Sequence, residues 1–352
     1  MENVSSANTA LSAIGIAAAI AITVSAALAW LMLRSSWHWA LDHPGSRSLH
    51  AAAVPRTGGL ALMAGVLAAG CFVELQATEA LTREALTGHW LWLETLCAGA
   101  LGALSLIDDR RGLPVSVRLM AHFIVACVYA GLLLRAGSAA VALPLVLGVA
   151  LCIAAMTNFF NFMDGTNGLA GGMTVIGQTA CAFCAWPSDP TLAALCLAMA
   201  GAAVGFLLFN LPGRIFMGDG GSVPLGFLTG AVGVYGWHNG LWPYWFVPLV
   251  FAPFIVDAGI TLTKRIMHRE KFWQAHRGHY YQRVVRMGAS HAQLACMEYA
   301  LMLVCAVGAI WARQIGITGQ LAIFATIGVV LASLILSIDA RWRRFMMQNE
   351  AA

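Results

Sequence analysis

The chain has 352 residues, of which 60% are hydrophobic and only 10% are charged, and its formal net charge is +4. A soluble domain carries about 25% charged residues, so this composition, with a mean hydropathy of +0.76, excludes an ordinary soluble protein. Most of the nine cysteines lie in apolar segments. The CxxC of Cys181 and Cys184 is interpreted as helix packing rather than as a redox or metal motif.

Apolar runs close to the roughly 20 residues that a helix needs to cross a bilayer recur along the chain. They are apolar on all sides rather than alternating, which is typical of helices and not of barrel strands. We predict an all-α polytopic membrane protein that forms one domain over residues 1–352. The runs lie at about 8–33, 58–78, 90–107, 119–135, 139–157, 168–186, 191–211, 222–238, 241–263, 294–312 and 317–338, which gives about 11 transmembrane helices.

The basic residues predict the orientation. With the N-terminus in the periplasm and the C-terminus in the cytoplasm, all of the 20 basic residues except Arg83, Arg135 and Arg313 face the cytoplasm. Loops rich in Lys and Arg stay on that side of the membrane. The first run is predicted to be a span rather than a cleaved signal, because no basic residue precedes it and it is longer than a signal's apolar region.

Five loops on the predicted cytoplasmic side hold the unusual polar residues, whereas the outer loops hold nothing comparable. They cover about 35–57, 108–118, 158–168, 212–222 and 264–293. Convergence of these loops would form an active site at the inner membrane surface. The candidates are Arg47 and Arg56 in the first loop, Asp108, Asp109 and Arg118 in the second, Asn158, Asn161, Asp164, Gly165 and Asn167 in the third, Asp219 in the fourth, and His276, Arg277 and His279 in the fifth.

Acidic residues on three loops and an Arg/His-rich loop are suited to a divalent cation and a phosphorylated substrate. Mg²⁺ takes one or two carboxylates and leaves positions for phosphate oxygens, while Arg and Lys neutralise phosphates. Simpler interpretations stay open for each part. The acidic pair could be a solvated helix end, residues 218–222 a flexible turn, and the histidine loop a contact for anionic lipid. Asp257, buried in an apolar run, is either functional or paired with a neighbouring helix.

Four motifs occur in one order. They are Asp108-Asp109, then Asn158-x-x-Asn161-x-x-Asp164-Gly165-x-Asn167-Gly168-Leu169, then Gly218-Asp219-x-Gly221-Ser222, and then His276-Arg277-Gly278-His279. The pattern, over roughly residues 10–340, resembles the polyprenyl-phosphate N-acetylhexosamine-1-phosphate transferases of glycosyltransferase family 4. The first loop, with Arg47-Ser48-x-His50 and Pro55-Arg56-x-Gly58-Gly59, is similar to the bacterial branch that initiates O-antigen and other surface polysaccharides. One departure is Asn167, where many bacterial members have Asp.

The resemblance implies an enzyme of the bacterial inner membrane with its active site on the cytoplasmic face. Undecaprenyl phosphate would attack the β-phosphorus of a UDP-N-acetylated sugar, and UMP would leave. Membrane lipids are the other implied partners, and no nucleic acid is. The cofactor implied is Mg²⁺, with Mn²⁺ as the alternative. Whether the chain is a monomer or a homodimer stays open, as does the identity of the sugar.

The resemblance also implies roles for individual residues. Asp219 and Asn161 correspond to the positions that hold the metal, and Asn167 with the Gly165 backbone to the uracil contact. Asp108 and Asp109 would lie near the lipid phosphate and Arg118 near the phosphates. His276, Arg277 and His279 would cover the sugar and diphosphate. Asp164, Asn158, Arg47, Arg56 and Asp257 would help form the site.

Two rival functions share some of these sequence features. A secondary transporter also has polar, glycine-rich stretches in its spans, but it places them near the midplane in two related halves. This chain shows no internal repeat, and its polar groups collect at one face. A different lipid-phosphate-processing enzyme, such as a phosphatase or a flippase, is the second rival, and the Asn158–Leu169 motif argues against it.

Overall fold

The computed structural model describes residues 2–34, 41–42, 53–80, 89–136, 141–271, 274 and 276–350. These ranges are almost entirely helical, which confirms the predicted all-α class. The helices are α1 (Glu2–Arg34), α2 (Gly58–Ala80), α3 (His89–Arg111), α4 (Val115–Ala136), α5 (Leu143–Met163), α6 (Leu169–Ala185), α7 (Pro190–Asn210), α8 (Asp219–His238), α9 (Phe246–Val250), α10 (Ala252–Met267), α11 (Tyr280–Arg286), α12 (His291–Ala312) and α13 (Ile317–Glu350). A short antiparallel ribbon pairs β1 (Leu41–Asp42) with β2 (Val54–Pro55).

Every predicted apolar run overlaps a helix. Among the described residues, eight helices are long and apolar enough to cross a membrane, namely α1 to α5, α7, α12 and α13. The chain is therefore a multi-pass membrane protein. The helix α6 is apolar but has only 17 residues, so the number of crossings stays a prediction.

The ninth predicted run, 241–263, does not form one helix. It contains α9 and most of α10, which are separated at Phe251, whose backbone leaves the helical region (φ −95°, ψ 16°). Pro253 stands in the first turn of α10, where its missing N–H group costs no hydrogen bond. Two side chains of α10, Ala258 and Leu262, line a cavity at one end of the bundle.

Two glycines bring the start of α2 against the start of α8. A Cβ atom on Gly59 would overlap the backbone of Gly221, and one on Gly221 would overlap Gly59. Beside this contact, the Gly58 and Gly59 amides donate to the carbonyls of Phe216 and Met217, both at 2.9 Å. Only residues without a side chain allow this approach. It fixes the segment that carries Arg56 next to the segment that carries Asp219.

The apolar core is continuous from α1 to α12. Cys181 and Cys184 are both buried within α6, in agreement with their interpretation as packing residues. A smaller apolar cluster joins α10, α12 and α13 through Ala252, Cys305, Ile327 and Leu331.

Candidate active site

A cavity of about 1280 Å³ opens at the end of the bundle where α3 and α5 end and where α4, α6 and α8 begin. Its wall combines polar side chains from several loops with an apolar part formed by membrane helices. Eleven of the candidate residues line it: Arg56, Asp108, Arg118, Asn158, Asn161, Asp164, Gly165, Asn167, Asp219, His276 and His279. Asp109, Asp257 and Arg277 are not part of the described wall, and Arg47 lies outside the described residues.

The turn between α3 and α4 holds Asp108 in place. The Asp108 carboxylate accepts a 2.6 Å hydrogen bond from the Leu113 amide and a 2.9 Å hydrogen bond from Arg118 Nη1. Gly112 makes the turn with a φ of +66°, a conformation that L side chains rarely adopt. Asp108 is therefore fixed by its own turn and directed at Arg118, so it is not a freely solvated helix end.

Asp219 is the first residue of α8 and lies between two arginines. Its Oδ1 is 3.4 Å from Arg56 Nη2, and its Oδ2 is 3.8 Å from Arg118 Nη1. Gly218, just before it, has a φ of +70°, and a Cβ atom there would overlap the Arg56 carbonyl oxygen. The strand–loop segment with Arg56, the start of α4 and the start of α8 thus meet at one carboxylate.

Two more acids lie close to this centre. Burial and the Asp219 carboxylate raise the pKa of Asp164 well above its usual range, against the opposing effect of Arg56. Asp109 is exposed, but it is within electrostatic reach of Asp219, Arg56 and Arg118. Several carboxylates that repel one another favour a cation between them.

The amides of the third loop face the same space. The Asn161 side-chain oxygen accepts a 2.8 Å hydrogen bond from the Ser222 hydroxyl on α8. One turn earlier, Asn158 donates to the Ala154 carbonyl at 2.7 Å, and its oxygen lies 3.3 Å from Nδ1 of His122 on α4. The end of α5 is therefore tied to both α8 and α4 through its asparagines.

A set of longer-range contacts shapes the loop that carries Asn167. Asn210, the last residue of α7, accepts from the Gly168 amide at 2.7 Å and donates to the Ile215 carbonyl at 2.9 Å. Tyr299 on α12 donates to the Gly168 carbonyl at 2.7 Å. These bonds hold the Asn167 loop against the segment that leads into Asp219.

Gly165 needs to be glycine because Tyr281 lies against it. A Cβ atom there would overlap the Tyr281 hydroxyl, which donates to the Phe162 carbonyl at 3.0 Å. Tyr281 is buried and lies on α11. The histidine segment thus covers the Asn/Asp/Gly loop directly.

Asp257 organises this covering segment. Its two oxygens accept from the Tyr280 amide at 3.0 Å and from the Tyr281 amide at 2.9 Å, at the start of α11. Its Oδ1 also lies 3.1 Å from Nδ1 of His279. A carboxylate is favourable at a helix N-terminus, and this bond leaves Nε2 of His279 for other partners. Asp257 therefore positions His279, and its own oxygens are occupied by the protein.

The two histidines of this segment stack on each other, with ring centroids 4.8 Å apart. The Gly278 amide donates to His276 Nδ1 at 3.0 Å, so the proton of a neutral His276 ring resides on Nε2. Burial, followed by the proximity of His279 and Arg265, lowers the pKa of His276 to about 4. At neutral pH, His276 is an uncharged hydrogen-bond donor.

The donor set fits a magnesium ion whose remaining positions are filled by a substrate. Among the described residues, no three His, Cys, Asp or Glu side chains form a closed metal cluster. The Asp219 carboxylate and the Asn161 amide oxygen instead provide two hard oxygen donors beside Asp164, whose pKa is raised first by burial and then by the Asp219 carboxylate. Mg²⁺ is commonly bound in this way, through one or two carboxylates and substrate phosphates.

Several side chains that build the site are not among the candidates taken from the sequence, namely His122, Asn210, Tyr281 and Tyr299, and Ser222 appears there only as part of a motif. Two of them have features that could have been recognised in the sequence. His122 is a polar residue within an apolar helix, and Asn210 precedes Leu-Pro-Gly at the end of another apolar helix. Tyr299 has no such feature, because its partner Gly168 is distant in sequence.

The fold and the site define a multi-pass helical membrane protein with a charged cavity at one end of its bundle. Residues 91–236 match the model of glycosyl transferase family 4, so this part of the chain is similar to that family. The matched residues include the segments of Asp108, Asn158–Gly168 and Asp219, whereas the histidine segment lies beyond them.

Three relatives extend over most of the chain. It is 28% identical over 291 residues to the probable undecaprenyl-phosphate N-acetylglucosaminyl 1-phosphate transferase of Bacillus subtilis, covering 77% of this chain and 76% of that protein. It is 27% identical over 365 aligned positions to the decaprenyl-phosphate N-acetylglucosaminephosphotransferase of Mycolicibacterium smegmatis, covering 93% and 88%. It is 28% identical over 319 residues to the undecaprenyl-phosphate alpha-N-acetylglucosaminyl 1-phosphate transferase of Yersinia pestis, covering 84% and 81%.

Proposed function

We propose that the chain transfers an N-acetylated sugar 1-phosphate from a UDP-sugar to undecaprenyl phosphate, forming an undecaprenyl-diphospho-sugar and UMP. The names of the relatives support transfer of a sugar phosphate to a polyprenyl phosphate. One observation carries the proposal for this chain. Arg56, Arg118, Asp108 and Asp219, from three different loops, meet in one cavity that also extends along membrane helices.

The cavity suits two substrates of opposite solubility. Its apolar part is formed by Leu119 and Phe123 of α4, Leu151 and Phe159 of α5, and Leu262 of α10. The four on α4 and α5 belong to helices that are long and apolar enough to cross a membrane, so this part suits the chain of a lipid phosphate. The polar part suits a nucleotide sugar, which arrives from water. The charged groups lie between the two parts, where the phosphates of both substrates would meet.

The polar part offers groups that suit a uridine nucleotide. The Asn167 amide has both a donor and an acceptor, which match the edge of a uracil ring. The backbone around Gly165 and Gly168 is fixed by Tyr281, Asn210 and Tyr299, so it can provide further contacts without reorganisation. We therefore propose that the Asn167 loop binds the nucleotide.

The chemistry is the displacement of one phosphate ester by another. An oxygen of the lipid phosphate forms a bond to the β-phosphorus, the bond from that phosphorus to the bridging oxygen breaks, and UMP leaves with the electron pair. A phosphate monoester is already largely ionised at pH 7, so Asp108 needs only to orient Arg118 and the nucleophile. Arg118 and Arg56 neutralise charge as the phosphates approach, and neutral His276 can donate to a sugar or phosphate oxygen. Magnesium, when bound, supplies positive charge to the phosphate oxygens.

The product would start the synthesis of O-antigen or of another cell-surface polysaccharide in the bacterial inner membrane, with the cavity facing the cytoplasm. The distribution of basic residues supports this orientation. A reporter fused after Arg344 should therefore read as cytoplasmic. A periplasmic signal there would contradict the proposed orientation.

The function can be tested with purified protein, undecaprenyl phosphate and a panel of UDP-sugars that includes UDP-N-acetylglucosamine, UDP-N-acetylgalactosamine and UDP-glucose. UMP should be released only when the lipid and an N-acetylated sugar nucleotide are both present. UMP release without the lipid, or no release with any sugar nucleotide, would count against the proposal.

A further inference from the structure

Asp339 on α13 is bonded to the histidine segment. It lies just beyond the apolar run predicted as the last span, and its side chain is 19% exposed. Its Oδ1 accepts a 2.9 Å hydrogen bond from Arg283 Nη1, and its Oδ2 accepts from the Tyr280 hydroxyl at 3.2 Å and from Lys264 Nζ. One carboxylate thus links α13 to two residues of α11 and to the end of α10.

Helix α11, which Asp339 contacts, is too short to be stable without contacts to other helices. With seven residues, α11 is far shorter than the roughly 12–15 residues at which an isolated helix becomes marginally stable. Asp257 fixes its first amides, and Asp339 fixes Tyr280 and Arg283. The short helix is therefore held between two carboxylates, one on each neighbouring long helix.

Aromatic contacts extend this link along α13. The Arg286 guanidinium lies 4.6 Å from the ring centre of Trp342, and the Arg283 guanidinium lies 5.8 Å from the same ring centre. Stacked and charge-assisted contacts of arginine are directional, so they fix the rotation of α11 as well as its distance from α13.

The opposite side of this segment faces the cavity. His279, Tyr281 and Gln282 line the cavity wall, and Tyr281 covers Gly165 in the proposed nucleotide loop. A change in the rotation of α11 would displace these three groups together. Asp339 itself is not among the described residues that line the cavity.

We propose that Asp339 is a positioning residue for the transfer reaction, which keeps His279 and Tyr281 in place over the substrates by anchoring α11 to the last membrane helix. This inference rests on the proposed function. It assigns a role to a segment that lies beyond the residues matched by the family model.

The first test compares Asp339→Asn, Asp339→Glu and the control Arg344→Gln, a substitution of an exposed charged residue on the same helix. Asp339→Asn should lower kcat/KM for UMP release by roughly 10- to 100-fold, since small displacements of site groups have effects of this size, while Tm stays near that of wild type. Asp339→Glu should recover part of the loss, and Arg344→Gln should match wild type. Unchanged kcat/KM in Asp339→Asn, or a loss matched by a fall in Tm, would overturn the inference.

A double mutant separates positioning from a general structural effect. If Asp339 acts through α11, adding Asp339→Asn to Tyr281→Phe should lower kcat/KM by less than the product of the two single effects, because both changes disturb one unit. Fully multiplicative effects would overturn the inference.

Tryptic cleavage supplies a readout that does not require activity. Cleavage after Lys271 and Arg277, followed by mass spectrometry, should be faster in Asp339→Asn than in wild type or Arg344→Gln. Equal rates would overturn the inference. If wild type released no UMP but Asp339→Asn showed faster cleavage, the proposed function would fail while the anchoring of α11 would stand.

Discussion

Arg118 on α4 donates a 2.9 Å hydrogen bond to the Asp108 carboxylate on α3. The same nitrogen lies 3.8 Å from Asp219 on α8, so one guanidinium connects the two acidic loops. A cation and phosphates that enter this space would compete for the same partners. Arg118 can exchange a carboxylate for a phosphate oxygen with little movement, because guanidinium binds both groups in similar geometry.

Replacement of Arg118 should therefore impair transfer more than nucleotide binding. Arg118→Gln removes the positive charge and should lower kcat by about 100-fold, the size expected for loss of one charge-stabilising donor. Arg118→Lys keeps the charge but loses the fork geometry, so it should be intermediate. Steady-state UMP release measures both. A normal kcat in Arg118→Gln would exclude this role.

Asp219 is expected to be essential because it would hold the cation. Asp219→Ala should reduce UMP release to background while the protein still folds and inserts into the membrane. EDTA should inactivate wild type, and added Mg²⁺ should restore it. Glu270→Ala is a matched control, since Glu270 is a largely exposed acid paired with Arg265 outside the cavity. Activity of Asp219→Ala at the level of this control would rule out the metal role.

Substitutions of Asp108 and of Asn167 should change different kinetic parameters. Asp108→Asn removes a charge that acts during transfer but keeps the shape, so it should mainly lower kcat. Asn167→Ala should mainly raise KM for the UDP-sugar, because nucleotide binding is largely the same in the ground and transition states. Full saturation kinetics of both variants would separate these effects. Equal losses of kcat with unchanged KM would refute the division of roles.

Asn167→Asp provides a control for the nucleotide loop. The substitution keeps an acceptor of the same size but removes the amide donor. Because the acceptor is kept, activity should be retained in part. Complete inactivity would show that the Asn amide donates a hydrogen bond that this chain requires.

His276 should make the protein less stable in acid. Its pKa is lowered to about 4 in the folded protein from an ordinary value of 6.5, so the unfolded chain binds the additional proton between these two values. Stability should therefore fall as the pH decreases through that window. In detergent, His276→Gln should show a smaller decrease in Tm between pH 7 and pH 4 than wild type. An identical pH dependence of Tm would contradict the assignment of a neutral His276.

The sequence was sufficient to predict most of the helices and the loops that line the cavity, because both are encoded locally. Apolar runs show the helices, and the order of the Asp108, Asn161 and Asp219 motifs shows which loops belong together. The position of Asn210 between two of these loops depends on how α6 and α7 pack, since Gly168 is 42 residues away from it. No local pattern records such a contact.

The histidine segment shows the same limit. Its residue types predicted a site loop, but they did not show that His276 and His279 line the cavity whereas Arg277 does not. The sequence alone leaves Asp257 either functional or paired with a neighbouring helix, and its bonds to Tyr280, Tyr281 and His279 support positioning. Nothing in the sequence indicates that Asp339 contacts the histidine segment, because its partner Arg283 is 56 residues away and Asp339 directly follows an apolar run.

The central claim is that the sugar moves together with its phosphate, and the fate of the β-phosphorus tests it most directly. The protein should be incubated with undecaprenyl phosphate and UDP-N-acetylglucosamine labelled with ³²P at the β-phosphate, and the lipid and aqueous phases should then be separated. The proposed reaction predicts label in the lipid phase and unlabelled UMP in water, with neither in Asp219→Ala. Label recovered in water as UDP, with an unlabelled glycolipid, would show transfer of the sugar alone and contradict the account.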